Sequence, residues 1–323
     1  PAELALALEL QDRFPTLDFS ERDGANPWNL RYSRLFDSSG AKSKGWLLRG
    51  PALESIGFKL EDDKHFRHTD GREALPVYEG QMANRWDHRA RTFERFTGKD
   101  RYGRKPHIPW TTDEQHADPS FEVEPRYWMH ENIAGERLEE VVGTGRAMLA
   151  MRDIGRMWTD RRVVRVAVME PLPATHTLPV LVTDSQKVLG VAALLNSMTL
   201  DFLARIHLPG GHMTPWVLSQ CAAPAPDQMP AEVVSVAGAL TATSARLAQF
   251  LGHAITRWDP GQRELLDARS DALIAKAYGL TLAEYEVVLG HFRLLEKIET
   301  RELGEYRSRR LRMEAFEQIG GGR

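Results

Sequence analysis

The chain has 323 residues, of which 42% are hydrophobic and 27% charged, and its formal net charge is -3 at pH 7. This composition is typical of a globular protein with two or three substructures, and it argues against a uniformly basic nucleic-acid-binding chain. The single cysteine, Cys221, excludes a disulfide framework and a cysteine zinc cluster. No apolar run reaches the roughly 18 residues that span a bilayer, so we expect a cytoplasmic protein with no membrane partner.

In chain order, hydrophobic periodicity first predicts a helix over residues 1–14, which Pro15 ends. Residues 26–125 are rich in Gly, Pro, Asp and aromatic side chains, and this pattern indicates loops with a few short strands. Residues 162–191 are rich in valine, which predicts two strands joined by a turn that contains proline.

Residues 190–208 have apolar side chains at helical spacing, which predicts one helix packed on a sheet and ended by Pro209. From Ala231 onward the pattern is almost entirely helical. The predicted fold class is therefore α+β, with a mixed or antiparallel sheet region and long Gly/Pro-rich loops followed by a helical C-terminal part. The expected regions are residues 1–125, loop-rich, residues 126–222, with strands and a helix, and residues 223–323, helical.

No catalytic motif stands out along the chain, so the sequence alone leaves open whether the protein is an enzyme. It has no P-loop, no G-x-S-x-G elbow, no H-E-x-x-H and no Asn/Asp-Pro-Pro-aromatic motif of an amino-methyltransferase. The sequence "GTGR" at residues 143–146 lacks the third glycine of a dinucleotide-binding loop. His65 and His68 could share a helical face beside a metal, but a solvated polar turn is the favoured interpretation.

A basic and aromatic segment, "RWDHRARTFERFTGKDRYGRKPH", covers residues 85–107. It has eight Lys or Arg against three acids, interleaved with four aromatic residues. Such a cluster suits a phosphate backbone, because neutralising phosphates releases counterions. The alternative is a solvated face whose aromatic side chains point inward. A second basic cluster covers residues 151–165, and a third, residues 306–312, is interpreted as a solvated helix face.

Six stretches, in the same order, resemble the C-terminal, target-recognition half of large adenine-specific DNA methyltransferases from type IIG-like restriction-modification and related phage-defence systems. They are "NPWNLRYSRLFD" from Asn26, "LPVYEGQMANRWDHRARTFERF" from Leu75, "RYWM" from Arg126, "MRDIGRMWTDRRVVRVAVMEPLP" from Met151, "LLNSMTLDFLARIHLPGGHM" from Leu194 and "LDARSDALIAKAYGLTLAEYEVVLGHF" from Leu266. The chain departs from the family pattern at Gln81, where a lysine is usual, and at Gly155, where a threonine is usual.

The resemblance implies a module that recognises a specific sequence in double-stranded DNA. The catalytic half would lie elsewhere, in the same polypeptide or in a partner subunit, and S-adenosylmethionine would bind there, with no cofactor in this chain. The chain begins at Pro1 without a methionine. We therefore expect it to be a piece of a longer polypeptide, with removal of an initiator methionine as the alternative.

The residues expected to contact DNA are Lys42, Lys44, Arg85, Asp87, His88, Arg89, Arg91, Arg95, Lys99, Arg101, Arg104, Lys105, Arg152, Arg156, Arg161, Arg162, Ser197 and His212. The motif residues expected to have structural roles are Tyr78, Glu79, Gly80, Asp153, Asn196 and Gly211. No residue is assigned to a catalytic or metal-binding role.

Three alternatives remain open at this stage. Asp87 with Arg89, or Arg152 with Asp153, could form a buried ion pair that fixes a loop instead of contacting DNA. A metal-dependent nuclease could use Glu79, Asp87 and His88, although Gln81 stands where such a site would need a lysine. The chain could also be a docking module whose helical tail binds the catalytic half or another subunit.

Overall fold

The computed structural model describes residues 2–20, 26–103 and 108–320. It confirms the α+β class, with two antiparallel sheets and a helical C-terminal part. In chain order the elements are α1 (Ala2–Arg13), β1 (Arg31–Ser33), α2 (Ser38–Ser43), α3 (Gly50–Ser55), β2 (Lys59–Leu60), β3 (Phe66–Arg67), β4 (Glu73–Val77), α4 (Gly98–Tyr102), α5 (Asp113–Ala117), β5 (Tyr127–His130), α6 (Glu131–Val141), β6 (Met148–Met151), β7 (Val166–Met169), β8 (Val180–Val182), α7 (Val188–Asn196), α8 (Met198–His207), α9 (Pro215–Ser219), α10 (Glu232–Thr241), α11 (Ala245–Leu251), α12 (Pro260–Ala277), α13 (Leu282–Gly290), α14 (Arg293–Leu303) and α15 (Arg307–Gly320).

The first sheet lies between two hydrophobic cores and has the strand order β1-β8-β6-β7. Its register pairs Met148 with Met169 and Leu149 with Leu181. Because successive side chains of a strand point to opposite faces, β6 sends Leu149 and Met151 into the larger, helix-covered core. Met148 and Ala150 enter the second core. Burial on both faces explains why β6 and β7 are apolar at every position.

The two valine-rich strands expected between residues 162 and 191 form as β7 and β8, but they are not neighbours. β6 lies between them and is hydrogen-bonded to both. The sequence did not reveal β6, because "MLAM" is short and contains no β-branched residue.

The second sheet has the order β2-β3-β4-β5 and covers the loop-rich part of the chain. Trp128 on β5 packs edge-on against Phe66 at a ring separation of 4.9 Å, and both are buried. Leu48 joins Trp128 through backbone hydrogen bonds in both directions. The interpretation of residues 26–125 as loops with a few short strands is therefore confirmed, with short helices added.

The single helix expected over residues 190–208 is two helices, and this prediction was wrong. α7 and α8 meet at Ser197 with a bend of 63°. Ser197 has extended backbone, and its hydroxyl accepts a hydrogen bond from the Leu200 N–H at 3.1 Å. Serine at this position caps a new helix, which explains why a continuous apolar pattern is interrupted. Within the described residues no single helix is both long and apolar enough to cross a membrane, and α7 with α8 meets that test only as a bent pair.

The larger core draws on the whole length of the chain. It contains Leu6 from α1, Leu149 from β6, Phe202 from α8, Tyr285 from α13 and Phe316 from α15. The three regions expected from the sequence therefore share one interior. The helical pattern from Ala231 onward is confirmed by α10 to α15.

Candidate nucleic-acid interface

Much of the basic and aromatic segment is folded into the protein. Arg89 is fully buried, and its guanidinium donates hydrogen bonds to the backbone carbonyls of four residues. The acceptors are His116 at 3.2 Å, Asp118 at 3.1 Å, Phe121 at 2.8 Å and Thr243 at 3.1 Å. Arg89 therefore joins loops from distant parts of the chain, and its expected contact with DNA is corrected to a structural role.

Asp87 and His88 are also occupied inside the protein. The Asp87 carboxylate accepts the Arg89 backbone N–H at 2.9 Å and lies 3.1 Å from the His116 imidazole. Burial disfavours the charge of Asp87, yet the His116 hydrogen bond keeps its pKa below the ordinary value. His88 lies 3.3 Å from the Ser244 hydroxyl, and burial with the nearby Arg89 charge lowers its pKa to about 3. Neither residue is placed to contact DNA, and the suggested Asp87–Arg89 side-chain ion pair is replaced by the Asp87–His116 pair.

Three other expected contacts are internal ion pairs. Arg85 binds Asp267 on α12, and Arg101 binds Glu124 at 2.5 Å. Arg162 lies 3.1 Å from the buried Asp201 and donates to the Asn196 carbonyl at 2.6 Å. Burying an arginine is tolerable when its donors are satisfied in this way. The expected DNA contacts of Arg101 and of the buried helix cap Ser197 are therefore corrected to structural roles. Arg85 and Arg162 are tied to Asp267 and Asp201, but both still line a cleft described below.

The motif residues assigned to structural roles occupy such positions. Tyr78 is buried and bridges to Ala174, and Glu79 forms an ion pair with Arg126 at 2.8 Å. A side chain on Gly80 would place its Cβ 2.5 Å from the Thr177 carbonyl oxygen, so only glycine fits.

The same holds for the motif residues further along the chain. The Asn196 carboxamide accepts from the Val166 N–H at 3.0 Å and donates to the Val166 carbonyl at 2.9 Å. Asp153 lies 2.7 Å from the His212 imidazole and 3.5 Å from Arg34, so the suggested Arg152–Asp153 pair does not form. A Cβ on Gly211 would lie 3.3 Å from Arg156.

The other expected contacts differ in exposure. Lys42, Lys44, Arg95, Lys99, Arg156 and Arg161 are exposed, and His212 is exposed although it binds Asp153. Arg104 and Lys105 lie outside the described residues. The third cluster is paired on the helix surface, as in the Arg309–Glu286 and Arg310–Glu314 pairs. Its Arg312 is an exception, because it is buried between Asp267 and Asp271.

The second basic cluster forms one wall of an open cleft of about 540 Å³, which we call the arginine cleft. Asn84, Arg85 and Trp110, from the loop-rich part of the chain, also line the cleft. The lining residues are Asn84, Arg85, Trp110, Thr159, Asp160, Arg161, Arg162 and Arg165. A second cavity of about 410 Å³ is lined in part by Gly80, Arg126, Arg152 and Ile154, and we call it the Arg152 cavity.

Positive charge near the arginine cleft exceeds the negative charge that faces it. Arg91 donates to the Ile108 carbonyl at 2.6 Å, and Arg165 lies 3.4 Å from Asp160. Within the described residues Arg152 has no side-chain hydrogen bond or ion pair. Burial and the charges of Arg165 and Arg91 lower the pKa of Arg152 to about 10. Three guanidinium groups are thus close enough to repel one another. Asp160 attracts Arg152 and Arg165, and Asp201 also attracts Arg165.

Large apolar side chains are exposed along the same part of the surface. Trp110 is 52% exposed, Trp158 63% and Trp216 57%. Ile154 is exposed and pairs through its backbone with His212, which brings the segment before α9 beside the second basic cluster. Exposed tryptophans beside unpaired arginines form a surface suited to a ligand with both charged and aromatic groups.

The sequence pointed to the second basic cluster but missed Asn84 and Trp110. A lone tryptophan in a loop and one asparagine carry no periodic or spacing signal. Trp110 is held there by pairing of its backbone with that of Arg91, and Asn84 by pairing of its backbone with that of Asp87.

The geometry does not favour the nuclease alternative. Glu79 is paired with Arg126, while Asp87 faces His116 and His88 faces Ser244. Among the residues that the structure describes, no three His, Cys, Asp or Glu side chains are grouped closely enough to hold a metal ion. The three residues therefore do not form the ligand set that metal-dependent cleavage requires.

Comparisons with protein families, with curated proteins and with solved structures found no match to this chain.

Proposed function

We propose that this chain is a recognition module for double-stranded DNA that binds the phosphate backbone across the arginine cleft and the Arg152 cavity. The observation that carries the proposal is the guanidinium group of Arg152, which lines the Arg152 cavity without a side-chain partner among the described residues and lies near the charges of Arg91 and Arg165. The proposed module belongs to an adenine-specific methyltransferase of a restriction-modification or phage-defence system. Its catalytic half, with S-adenosylmethionine, lies outside this chain, as the sequence resemblance suggests.

A phosphate would stabilise this arrangement for an electrostatic reason. Arg152 is largely removed from water and is repelled by two other cations, so its charged form is held at a disadvantage. An anion bound beside it would offset that repulsion and supply hydrogen-bond acceptors. Since the net charge of the chain is -3, the attraction is local to this surface.

Sequence specificity would come from polar side chains at the edge of the same surface. Arg156 and His212 are exposed and lie on neighbouring segments, because the Gly155 N–H donates to the Gly211 carbonyl at 3.0 Å. Arginine can bind guanine through two hydrogen bonds in the major groove. We assign Arg152 to backbone binding and Arg156 with His212 to base reading.

The test is fluorescence anisotropy of the chain with random-sequence duplex DNA over a series of salt concentrations. Wild-type binding should weaken linearly in a plot of log affinity against log salt. Arg152→Ala should reduce the slope by about 1, the effect of one lost phosphate contact. Lys59→Ala is the matched control, because Lys59 is an exposed cation on β2 outside both cavities.

Two results would count against the proposal. An Arg152→Ala slope equal to that of the wild type would remove Arg152 from the phosphate contacts. Absence of duplex binding even at low salt, by a protein shown to be folded, would overturn DNA recognition by this chain alone and would favour the docking alternative.

A further inference from the structure

Trp110 lines the arginine cleft, and one face of its indole ring contacts the Arg91 guanidinium. The Arg91 guanidinium carbon lies 4.0 Å from the centre of the Trp110 ring, and the two backbones are paired. Trp110 nevertheless remains 52% exposed and lines the cleft. An indole held from one side by a cation and open on the other is a platform on which a flat ring can stack.

Asn84 lies on the same cleft with its hydrogen-bonding capacity unused. Its backbone is fixed, because its N–H donates to the Asp87 carbonyl at 2.8 Å and its carbonyl accepts the Asp87 N–H at 3.0 Å. Its Oδ1 is buried without a partner, and within the described residues its Nδ2 has none either. A buried polar group left unpaired is costly, so this carboxamide is suited to an incoming donor and acceptor.

The size and charge of the cleft fit a nucleotide. Its volume of about 540 Å³ falls within the range typical of small-ligand sites. Arg161 is half exposed and held by a 3.3 Å contact to Glu302, a weak surface pair that an anion can replace. Arg165 lines the same wall.

We propose that the arginine cleft binds one nucleotide that has left the base stack, with its base on Trp110, the base edge on the Asn84 carboxamide and its phosphate on Arg161 and Arg165. This rests on the proposed function and deepens it, because it adds an unpaired nucleotide to the duplex contacts. Asparagine offers one donor and one acceptor, which match the N7 acceptor and N6 amino group of adenine. Guanine presents two acceptors at those positions, so the cleft should prefer adenine.

The experiment compares four duplexes by fluorescence anisotropy at one salt concentration. One is fully paired, and the others have a single unpaired adenosine, a single unpaired guanosine or an abasic nucleotide at the same place. The wild type should bind the adenosine duplex about tenfold more tightly than the abasic one, because stacking on an aromatic ring contributes that much or more. Trp110→Ala should abolish the difference, and Trp110→Phe should retain most of it.

Two further variants test the preference for adenine and serve as a control for the loss of an exposed side chain. Asn84→Ala should remove the preference for unpaired adenosine over unpaired guanosine while leaving the gain from stacking. Ile56→Ala is the control, because Ile56 is as exposed as Trp110 but does not line the cleft. It should preserve the tenfold difference. Circular dichroism of each variant checks the fold.

The outcomes separate this inference from the proposed function. Equal affinity of the wild type for the adenosine and abasic duplexes overturns the inference and leaves duplex recognition standing. If no duplex binds, the same protein is titrated with a short single-stranded oligonucleotide. Binding that Trp110→Ala abolishes then supports the nucleotide cleft and overturns duplex recognition, whereas no binding overturns both.

Discussion

Arginine residues in this chain have two different roles, structural or available for binding, and the role of each depends on its burial and its partners. Arg89 satisfies four backbone carbonyls in the interior, whereas Arg152 is partly buried with no carboxylate partner among the described residues. Composition and spacing predicted the clusters but could not separate these roles, because burial depends on distant segments such as the one around Thr243. Gly80 and Asn196, which were expected to have structural roles, lie in close contact with the backbone of Thr177 and Val166.

We predict that Arg89→Lys destabilises the fold by about 2–4 kcal/mol, because a lysine ammonium cannot reach four carbonyls and leaves buried acceptors unpaired. Urea unfolding measures the change in the free energy of unfolding. Arg95→Lys is the control, since Arg95 is exposed, and it should differ from the wild type by less than about 0.5 kcal/mol. A stable Arg89→Lys protein would contradict the structural role.

We predict that His88 makes the protein less stable as the pH falls. Its pKa is about 3 in the folded state and near 6.5 in the unfolded chain, so the unfolded chain binds one more proton between these values. From about pH 6.5 to about pH 5 this histidine should remove about 1.5 kcal/mol of stability. Urea unfolding of the wild type and of His88→Gln at both pH values tests this. The variant should lose less stability on acidification, and parallel profiles would contradict the prediction.

Among the helices and strands, those that were predicted correctly from the sequence are mostly long and have a regular spacing of apolar residues. α1 and the C-terminal helices are long enough for their apolar spacing to be read, and they form where expected. The sequence did not predict β6, and it predicted one continuous helix where the structure has α7 and α8. Four apolar residues suit a helix as well as a strand, and a buried serine cap resembles a helix interior in sequence.

A buried ionic cluster connects α12 and α15 to the loop-rich part of the chain. Asp267 on α12 binds Arg312 on α15 and Arg85, and it accepts the Trp86 indole N–H at 2.9 Å. These charges hold the pKa of Asp267 well below its ordinary value, against the effect of burial. The cluster therefore ties one wall of the arginine cleft to the C-terminal helices.

We predict that Asp267→Ala lowers the free energy of unfolding by about 3–5 kcal/mol, because it leaves Arg85 buried without a counter-charge and Arg312 with Asp271 as its one remaining carboxylate. Glu264→Ala, on the same helix, is the matched control. Glu264 pairs with Arg307 at the surface, and its loss should change stability by less than about 1 kcal/mol. Chemical unfolding measures the free energy of unfolding of both variants. Similar losses of stability in the two would show that the buried cluster contributes no more than a surface pair.

At the scale of the whole molecule, the larger core is the feature that the sequence could not reveal. Boundaries near residues 125 and 222 follow changes in composition, yet side chains from α1, β6 and α15 meet in one interior. Local patterns report the elements but not which distant elements pack together. The candidate site could not be predicted for the same reason, because its lining combines Asn84, Arg85 and Trp110 with five residues of the range 159–165.

We predict that the chain unfolds as one cooperative unit. Thermal unfolding followed by far-ultraviolet circular dichroism, which reports the helices, and by near-ultraviolet circular dichroism, which reports packing around the aromatic side chains, should give coincident transitions. A fragment of residues 1–222 should not unfold cooperatively, because it exposes the core surface that α12 and α15 cover. Separate transitions in the full chain, or a stable fragment, would show independent domains.

The tryptophans include an exposed group and a buried group, whose fluorescence can be told apart. Three lie on or beside the proposed binding surface and are open to solvent, namely Trp110, Trp158 and Trp216. Three others are enclosed in the interior, namely Trp28, Trp86 and Trp128. A soluble quencher such as iodide reaches the first group and not the second. Protection of the quenchable emission therefore reports an occupied surface, while a red shift of the shielded emission reports loss of the core, and one unlabelled sample yields both signals.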